Sequence, residues 1–315
     1  MPNATPGRPR YADLPDGCAW DYLDPQLGSL ELLTPDRVAA AAQLVRTGAR
    51  FSLDLPVDEP DPPFFGREPV RHTVYDWADN VLDDRLDNYF PQGSTQWDAF
   101  SHFAHSTRGF FCGHDKDAIR ARRALGVDAW HREGIVGRGV LLDVARQVEI
   151  AGDSSFMVTP DLLDQTAAAQ GVEVREGDVL CVRVGWLAWY RSLGRAGREA
   201  LAQASRGEFA SFRLPGIGPG PALAEWLWDH GVAAVAVDNP AVEPFPPRIG
   251  GNRGPDDMVH VRVLTMLGIP LGELFDFEAL ADHCARDRVY EFLFTSAPLG
   301  IPGGTGSPPN ALAIK

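Results

Sequence analysis

The chain has 315 residues, enough to bury a substantial core in one large domain or two modest ones. A formal charge of −14 leaves no excess of Lys and Arg to neutralise phosphates, which argues against a nucleic-acid or anionic-membrane partner. Nothing in it is apolar over the roughly 18 residues that a membrane span needs. Residues 1–17 read as a polar arm that frays or drapes over a partner, without the apolar stretch of a signal peptide. Four cysteines far apart, with no C-x-x-C pair, suit reduced thiols and a cytoplasmic location.

Thr34-Pro35, the run DRVAAAAQLVRT and Gly48 predict the first helix: Thr caps it, Pro suits its first turn and Gly supplies a left-handed stop. Residues 51–100 are Pro-rich and aromatic without helical periodicity, so they are expected to hold strands and long loops. Gly139-VLLDVA predicts a buried strand, and the helix grammar recurs at Thr159-Pro160, DLLDQTAAAQ and Gly171. A strand over Val179–Val184 follows within GDVLCVRVGW, and Cys181 falls in its apolar run. Pro221, ALAEWLWDH and Gly231 give a third helix, followed by a strand over Val232–Val237. This alternation predicts an α/β domain. Pro240–Asp257 reads as a long loop, and a late helix runs from Asp276 or Phe277 to Cys284. No linker or repeat is visible, which leaves an arm and helix over 1–50 and one catalytic domain over 51–315.

Chemistry concentrates in two places. Gln92-Gly-Ser-Thr-Gln-Trp-Asp-Ala-Phe-Ser-His102 puts Gln96 and Asp98 on one face of a strand, and a helical turn from Asp98 would bring His102 beside it. A carboxylate with an imidazole can hold a divalent cation or move a proton near neutral pH. Farther on, His260 lies in the apolar stretch VHVRVLTML and Glu273 follows GIPLG, so both are candidates for burial, and a buried charge needs a partner such as a cation. Spacing alone also admits a capped helix or surface salt link for the first pair, and a core histidine with a surface carboxylate for the second. Among other residues, His105 and His114 read as loop histidines and His72 as a strand residue. Phe64, Phe65, Phe100 and Trp186 could shape an apolar pocket for a planar substrate, and Trp97 joins them because it lies between two candidate site residues. Loops 60–92, 105–135 and 187–213 would set specificity. No G-x-S-x-G elbow, P-loop or dinucleotide fingerprint occurs.

The order and spacing of these segments over roughly residues 50–300 resemble the cyclase family of bacterial kynurenine formamidases and isatin hydrolases. The family signature His-x-Gly-Thr-His-x-Asp-x-Pro-x-His is matched at Thr95, Asp98 and His102. GDVLCVRVGW and LPGIGPGPALAEWLWDHGVAAVAVDNPAVEP resemble its next strand and helix–strand unit, and His260 with Glu273 resembles its late ligand pair. The resemblance implies a swivelling β/β/α fold with a mixed β-sheet core and peripheral helices. It implies metal ligation by Asp98, His260 and Glu273, and a general acid/base role for His102. The reaction implied is hydrolysis of an amide, formamide or lactam C–N bond by ion-activated water, in a homodimer or homotetramer.

Gln92 and Gln96 replace two signature histidines, Ser94 the glycine and Phe100 the proline. One ion is therefore expected, assisted by Gln96, with oxygen-rich ligation moving preference from zinc toward manganese or magnesium. A metal-free site is the other reading, with the glutamines donating hydrogen bonds to a small-molecule substrate. Two further functions stay open: a cyclase- or dehydratase-type reaction on a polyketide-like substrate, and a metal-free binding descendant.

Overall fold

In a computed structural model, which describes residues 8–207, 211–247 and 254–315, the helix grammar holds with one shortening. The helices are α1 (Pro35–Ala42), α2 (Lys116–Arg120), α3 (Asp128–Glu133), α4 (Val144–Gln147), α5 (Pro160–Gln170), α6 (Trp186–Ser192), α7 (Arg195–Ala204), α8 (Pro221–Asp229) and α9 (Glu278–Asp287). Thr34 and Thr159 cap α1 and α5 by accepting from the backbone N–H three residues on, and Gly171 closes α5 in the left-handed region at φ 67°. Helix α1 stops at Ala42 rather than continuing to Gly48, because the Lys315 carbonyl accepts from the N–H of Thr47 and Gly48 and holds that segment against the other end of the chain. The stretch 187–213, expected as a loop, contains most of α6 and all of α7, each too short for its periodicity to declare itself.

The strands are β1 (Arg50–Ser52), β2 (Arg71–Ala78), β3 (Val81–Asp87), β4 (Gln96–Asp98), β5 (Ile135–Asp143), β6 (Met157–Val158), β7 (Val179–Arg183), β8 (Gly216–Ile217), β9 (Ala234–Val237), β10 (Leu271–Glu273), β11 (Glu291–Ser296), β12 (Gly306–Ser307) and β13 (Leu312–Ile314). Nine of them form one mixed sheet in the order β1-β13-β11-β5-β7-β9-β10-β4-β12. Its centre, β5-β7-β9-β10, is parallel, and both flanks are antiparallel. All of β9 and Val179–Val182 of β7 are buried, as expected where helices cover both faces of a parallel sheet. Each fully buried Val or Leu there stabilises the fold by about 1.5–3 kcal/mol. Peripheral helices around a mixed sheet are the architecture that the family resemblance implied, within the α/β class read from the alternation of helices and strands.

Residues 8–33 of the arm pack on their own chain. Arg8 Nη2 donates to the Trp228 carbonyl at 2.9 Å, Trp228 Nε1 to the Pro9 carbonyl at 2.9 Å and Tyr11 N–H to Asp229 Oδ1 at 2.8 Å, and farther on Ser29 Oγ donates to the Ala233 carbonyl at 2.7 Å. This corrects the expectation that the arm frays or drapes over a partner, except for residues 1–7, which lie outside the described residues. So do 248–253 of the long loop. The four cysteines are free thiols, with Cys181 and Cys284 buried. Among the described residues no helix is long and apolar enough to cross a membrane.

Candidate metal centre

Strand β4 lies between β10 and β12, and its register builds one wall of the site. Glu273 stands opposite Gln96, and Leu271 opposite Asp98. The two-residue period puts Gln96 and Asp98 on one face and turns Trp97 to the other. There Trp97 is fully buried against Phe275 and Phe294, with ring centroids 5.0 and 6.2 Å away, and its Nε1 donates to Ser296 Oγ at 2.9 Å. A pocket role for Trp97 is thereby replaced by a core role: lying between two site residues on a strand means facing away from both.

After Asp98 the chain makes a tight turn, not a helix. His102 N–H donates to the Ala99 carbonyl at 2.9 Å, and this turn returns His102 Nε2 to 3.6 Å from Asp98 Oδ1. The imidazole remains about a quarter exposed while Asp98 is fully buried (side chains 24% and 0%). The same turn sends Phe100 into the core against Phe111 and Trp130, at 4.5 and 5.0 Å. Phe64 and Trp186 are also core residues, joined with Tyr190 and Phe212 in a buried aromatic cluster. Close packing thus occupies three further side chains that the sequence suggested as pocket walls. Gln92 is half-buried and donates from Nε2 to Thr305 Oγ1 at 3.2 Å.

His260 opens a π-helical segment, His260–Met266, and is buried at its start. Its Nε2 lies 3.2 Å from Glu273 Oε1 and 3.4 Å from Asp98 Oδ2. Nδ1 is 2.7 Å from Glu243 Oε1, and Glu243 Oε2 accepts from Val259 N–H at 2.9 Å. The Phe103 ring covers the imidazole with centroids 4.5 Å apart. Neither Glu243 nor Phe103 was singled out in the sequence. Glu243 lies in the loop after β9, where Val242 takes a left-handed φ of 57° and Asn239 Nδ2 donates to the Pro215 carbonyl at 2.6 Å. The available signal was a lone glutamate in the otherwise apolar stretch NPAVEPFP.

Burial opposes the charge on Asp98, but the imidazoles of His102 and His260 outweigh it and hold its pKa below the usual carboxylate range. Burial, then repulsion from Asp98, pushes Glu273 up to about 7. Burial works to lower His260, but the negative charge of the carboxylates around its ring, Asp98, Glu243 and Glu273, overcomes it and holds the imidazole well above the usual histidine value. His102 is lowered chiefly by burial, which outweighs the attraction of Asp98 and keeps it neutral near pH 7.

The donor atoms of Asp98, His260 and Glu273 lie within 4.8 Å of one another. Both Asp98 carboxylate oxygens and Gln96 Oε1 are buried without a hydrogen-bond partner among the described residues. Orphaned buried oxygens are rare, and a cation is a partner that would satisfy them together. The donor set fits a divalent ion: two carboxylates, an imidazole with its second nitrogen already engaged, and one neutral amide oxygen. Elsewhere, His105 pairs with Asp256 at 3.7 Å and His72 with Asp84 at 2.7 Å. His114 lines a separate surface cavity.

The family model described as "Putative cyclase" matches residues 44–244, nearly two thirds of the chain. The chain belongs to the cyclase family. A crystal structure described as a novel cyclase superposes with a TM-score of 0.81 at 32% identity, covering 95% of this chain and 99% of the other. Isatin hydrolase A from Labrenzia aggregata, bound to benzyl benzoate, gives 0.58 at 18% identity over 88% and 97% of the two chains. The enzyme of the same name from Ralstonia solanacearum gives 0.59 at 16% over 88% and 95%. These last two are similar in fold. No curated protein matches the chain. In this member of the cyclase family, the amides at two signature histidine positions are engaged with protein groups: Gln92 with Thr305, and Gln96 Nε2 with Glu273 Oε2.

Proposed function

We propose that this cyclase-family chain is a metal-dependent hydrolase that cleaves the C–N bond of an amide, formamide or lactam. The observation that carries the reading is the unpartnered Asp98 carboxylate, set between the imidazoles of His102 and His260 and close to Glu273. Asp98, His260 and Glu273 would hold the cation, with Gln96 Oε1 as a neutral fourth oxygen. Manganese or magnesium suits so oxygen-rich a set better than zinc. A divalent cation there would polarise the scissile carbonyl and acidify water.

The remaining chemistry belongs to the chain. Glu243 accepts from His260 Nδ1, which leaves Nε2 turned toward Asp98 and Glu273, where a cation would displace its proton. His102, lowered by burial and still in reach of solvent, takes a proton from the attacking water and returns one to the leaving nitrogen. Phe103 covers the His260 ring and keeps bulk water from it. The fold shared with isatin hydrolases supports hydrolysis over a binding-only role.

Replacing His102 with alanine tests this reading. Turnover of a panel of aryl formamides and lactams should be abolished while metal content is retained, and a fully active variant would contradict it. Activity on poly-β-keto compounds with none on amides would instead establish the ring-closing reaction on the same site.

A further inference from the structure

A short Pro-rich loop ahead of the β2–β3 hairpin is anchored from below. Asp61 N–H donates to Tyr190 Oη and Phe65 N–H to Ser205 Oγ, each at 2.9 Å, while Phe64 is buried in the aromatic cluster. Phe65 and Gly66 are both left-handed, at φ 58° and 76°, and Arg67 N–H closes the turn onto the Phe64 carbonyl at 3.2 Å. A non-glycine residue held at positive φ costs of order 1–3 kcal/mol and persists only where its surroundings impose it. The imposed turn carries Arg67, whose Cζ lies 5.3 Å from the Phe65 ring centroid.

The Arg67 guanidinium is largely buried and close enough to Asp98, Glu273 and His102 to act on the charge of all three. Among the described residues it makes no hydrogen bond or ion pair. Arg138, Arg183 and Arg191 are by contrast each paired with two carboxylates. The five donors of Arg67 therefore meet no acceptor among the described residues beside the candidate centre, and a ligand entering there can supply one.

We propose that Arg67 is a specificity-determining residue that binds a carboxylate of the substrate, so that the site takes small carboxylate-bearing amides in preference to neutral ones. The proposal rests on the hydrolytic reading of the same site and names its substrate class. A guanidinium fork matches a planar carboxylate in two parallel hydrogen bonds. A single arginine facing Asp98 and Glu273 suits a monoanion better than a phosphate dianion, which would meet two like-charged side chains with one cation to offset them. The Phe65 ring flanking the fork gives such a ligand an apolar surface to lie against.

The experiment compares manganese-loaded wild type, Arg67→Met and Arg67→Lys on two aryl formamides, N-formylanthranilate and formanilide, which differ by one carboxylate. Wild type should prefer N-formylanthranilate, and Arg67→Met should reduce that preference by about 100-fold, chiefly through KM, as loss of one partner of an enclosed charge pair requires. Arg67→Lys should restore part of it, with manganese affinity retained in both variants. Benzoate and benzamide binding, read from tryptophan fluorescence, separates this proposal from the hydrolytic one. Benzoate binding that Arg67→Met weakens by about 10-fold or more, with benzamide little changed, upholds the carboxylate role even if neither formamide is hydrolysed. Equal losses on both formamides, benzoate binding indifferent to Arg67, no benzoate binding by wild type, or inorganic phosphate binding in its place would each overturn it.

Discussion

Glu243 is the residue on which the candidate centre turns, although it offers no atom to the cation itself. Its two oxygens hold His260 Nδ1 and Val259 N–H, so the imidazole is oriented before any ion arrives. Glu243→Gln should lower divalent-metal affinity by about 10–100-fold, the usual cost of losing a carboxylate behind a ligating histidine. Titration calorimetry with manganese checks this, and unchanged affinity would reduce Glu243 to a packing residue. Glu273 gives the pH dependence. Its carboxyl titrates at about 7 in the absence of a cation, so an ion must displace a proton below that pH. Metal affinity should therefore fall as pH drops through about 7. The sign for the cation-free fold is opposite: a raised carboxyl pKa stabilises at low pH, and that contribution is lost as pH rises through about 7. Thermal unfolding at pH 6 and pH 8, with and without manganese, should show a larger metal-induced rise in Tm at pH 8.

At the scale of elements, the site is a consequence of pairing register. Strands β4 and β10 set Gln96 against Glu273 and Trp97 against Gly272, so the polar and aromatic faces are fixed together. A Cβ added at Gly272 would lie 2.5 Å from Phe275 and 2.8 Å from Trp97, and both rings are buried. Gly272→Ala should destabilise the protein by about 1–3 kcal/mol, seen as a lower denaturation midpoint, and should weaken metal binding by shifting Glu273. A neutral outcome in both would mean that the two rings can move aside. Much of this scale was legible in the sequence. Thr-Pro caps and glycine stops marked α5 because those residues have local physical reasons to sit there, and the apolar runs marked β7 and β9. Residue type and spacing marked Asp98, His102, His260 and Glu273 only as candidates, the family resemblance joined them into one site, and the structure brings them together. Trp97 was misjudged although strand alternation contained the answer. Arg67, Phe103 and Glu243 were missed because loops bear no period, and their neighbours are set by long-range packing rather than by local sequence.

The whole molecule presents one feature that its own core leaves uncovered. The β2–β3 hairpin is almost entirely exposed, with Val74, Tyr75, Trp77, Leu82 and Leu86 all in solvent. Pairing Asp76 with Leu82 and Tyr75 with Asp83 places apolar side chains on both faces of the ribbon. A two-stranded ribbon is marginal by itself in water, and apolar residues on both faces suit one gripped from two sides. A second copy of the chain is the partner proposed here, in keeping with the dimer or tetramer that the family resemblance implies. Light scattering should give a mass of two or four chains, and Trp77→Asp combined with Leu82→Asp should reduce it to one. A wild-type monomer would rule out this role for the hairpin.

The proposed chemistry depends on the cation, so metal content is the most direct test. Elemental mass spectrometry would be run on protein purified without added metal or chelator, alongside Asp98→Ala and Glu273→Ala. The expected result is about one equivalent of a divalent ion in the wild type, manganese foremost, lost from both variants. A wild-type protein that holds no metal even after reconstitution, or variants that keep it, would contradict the assignment of Asp98, His260 and Glu273 as a metal centre.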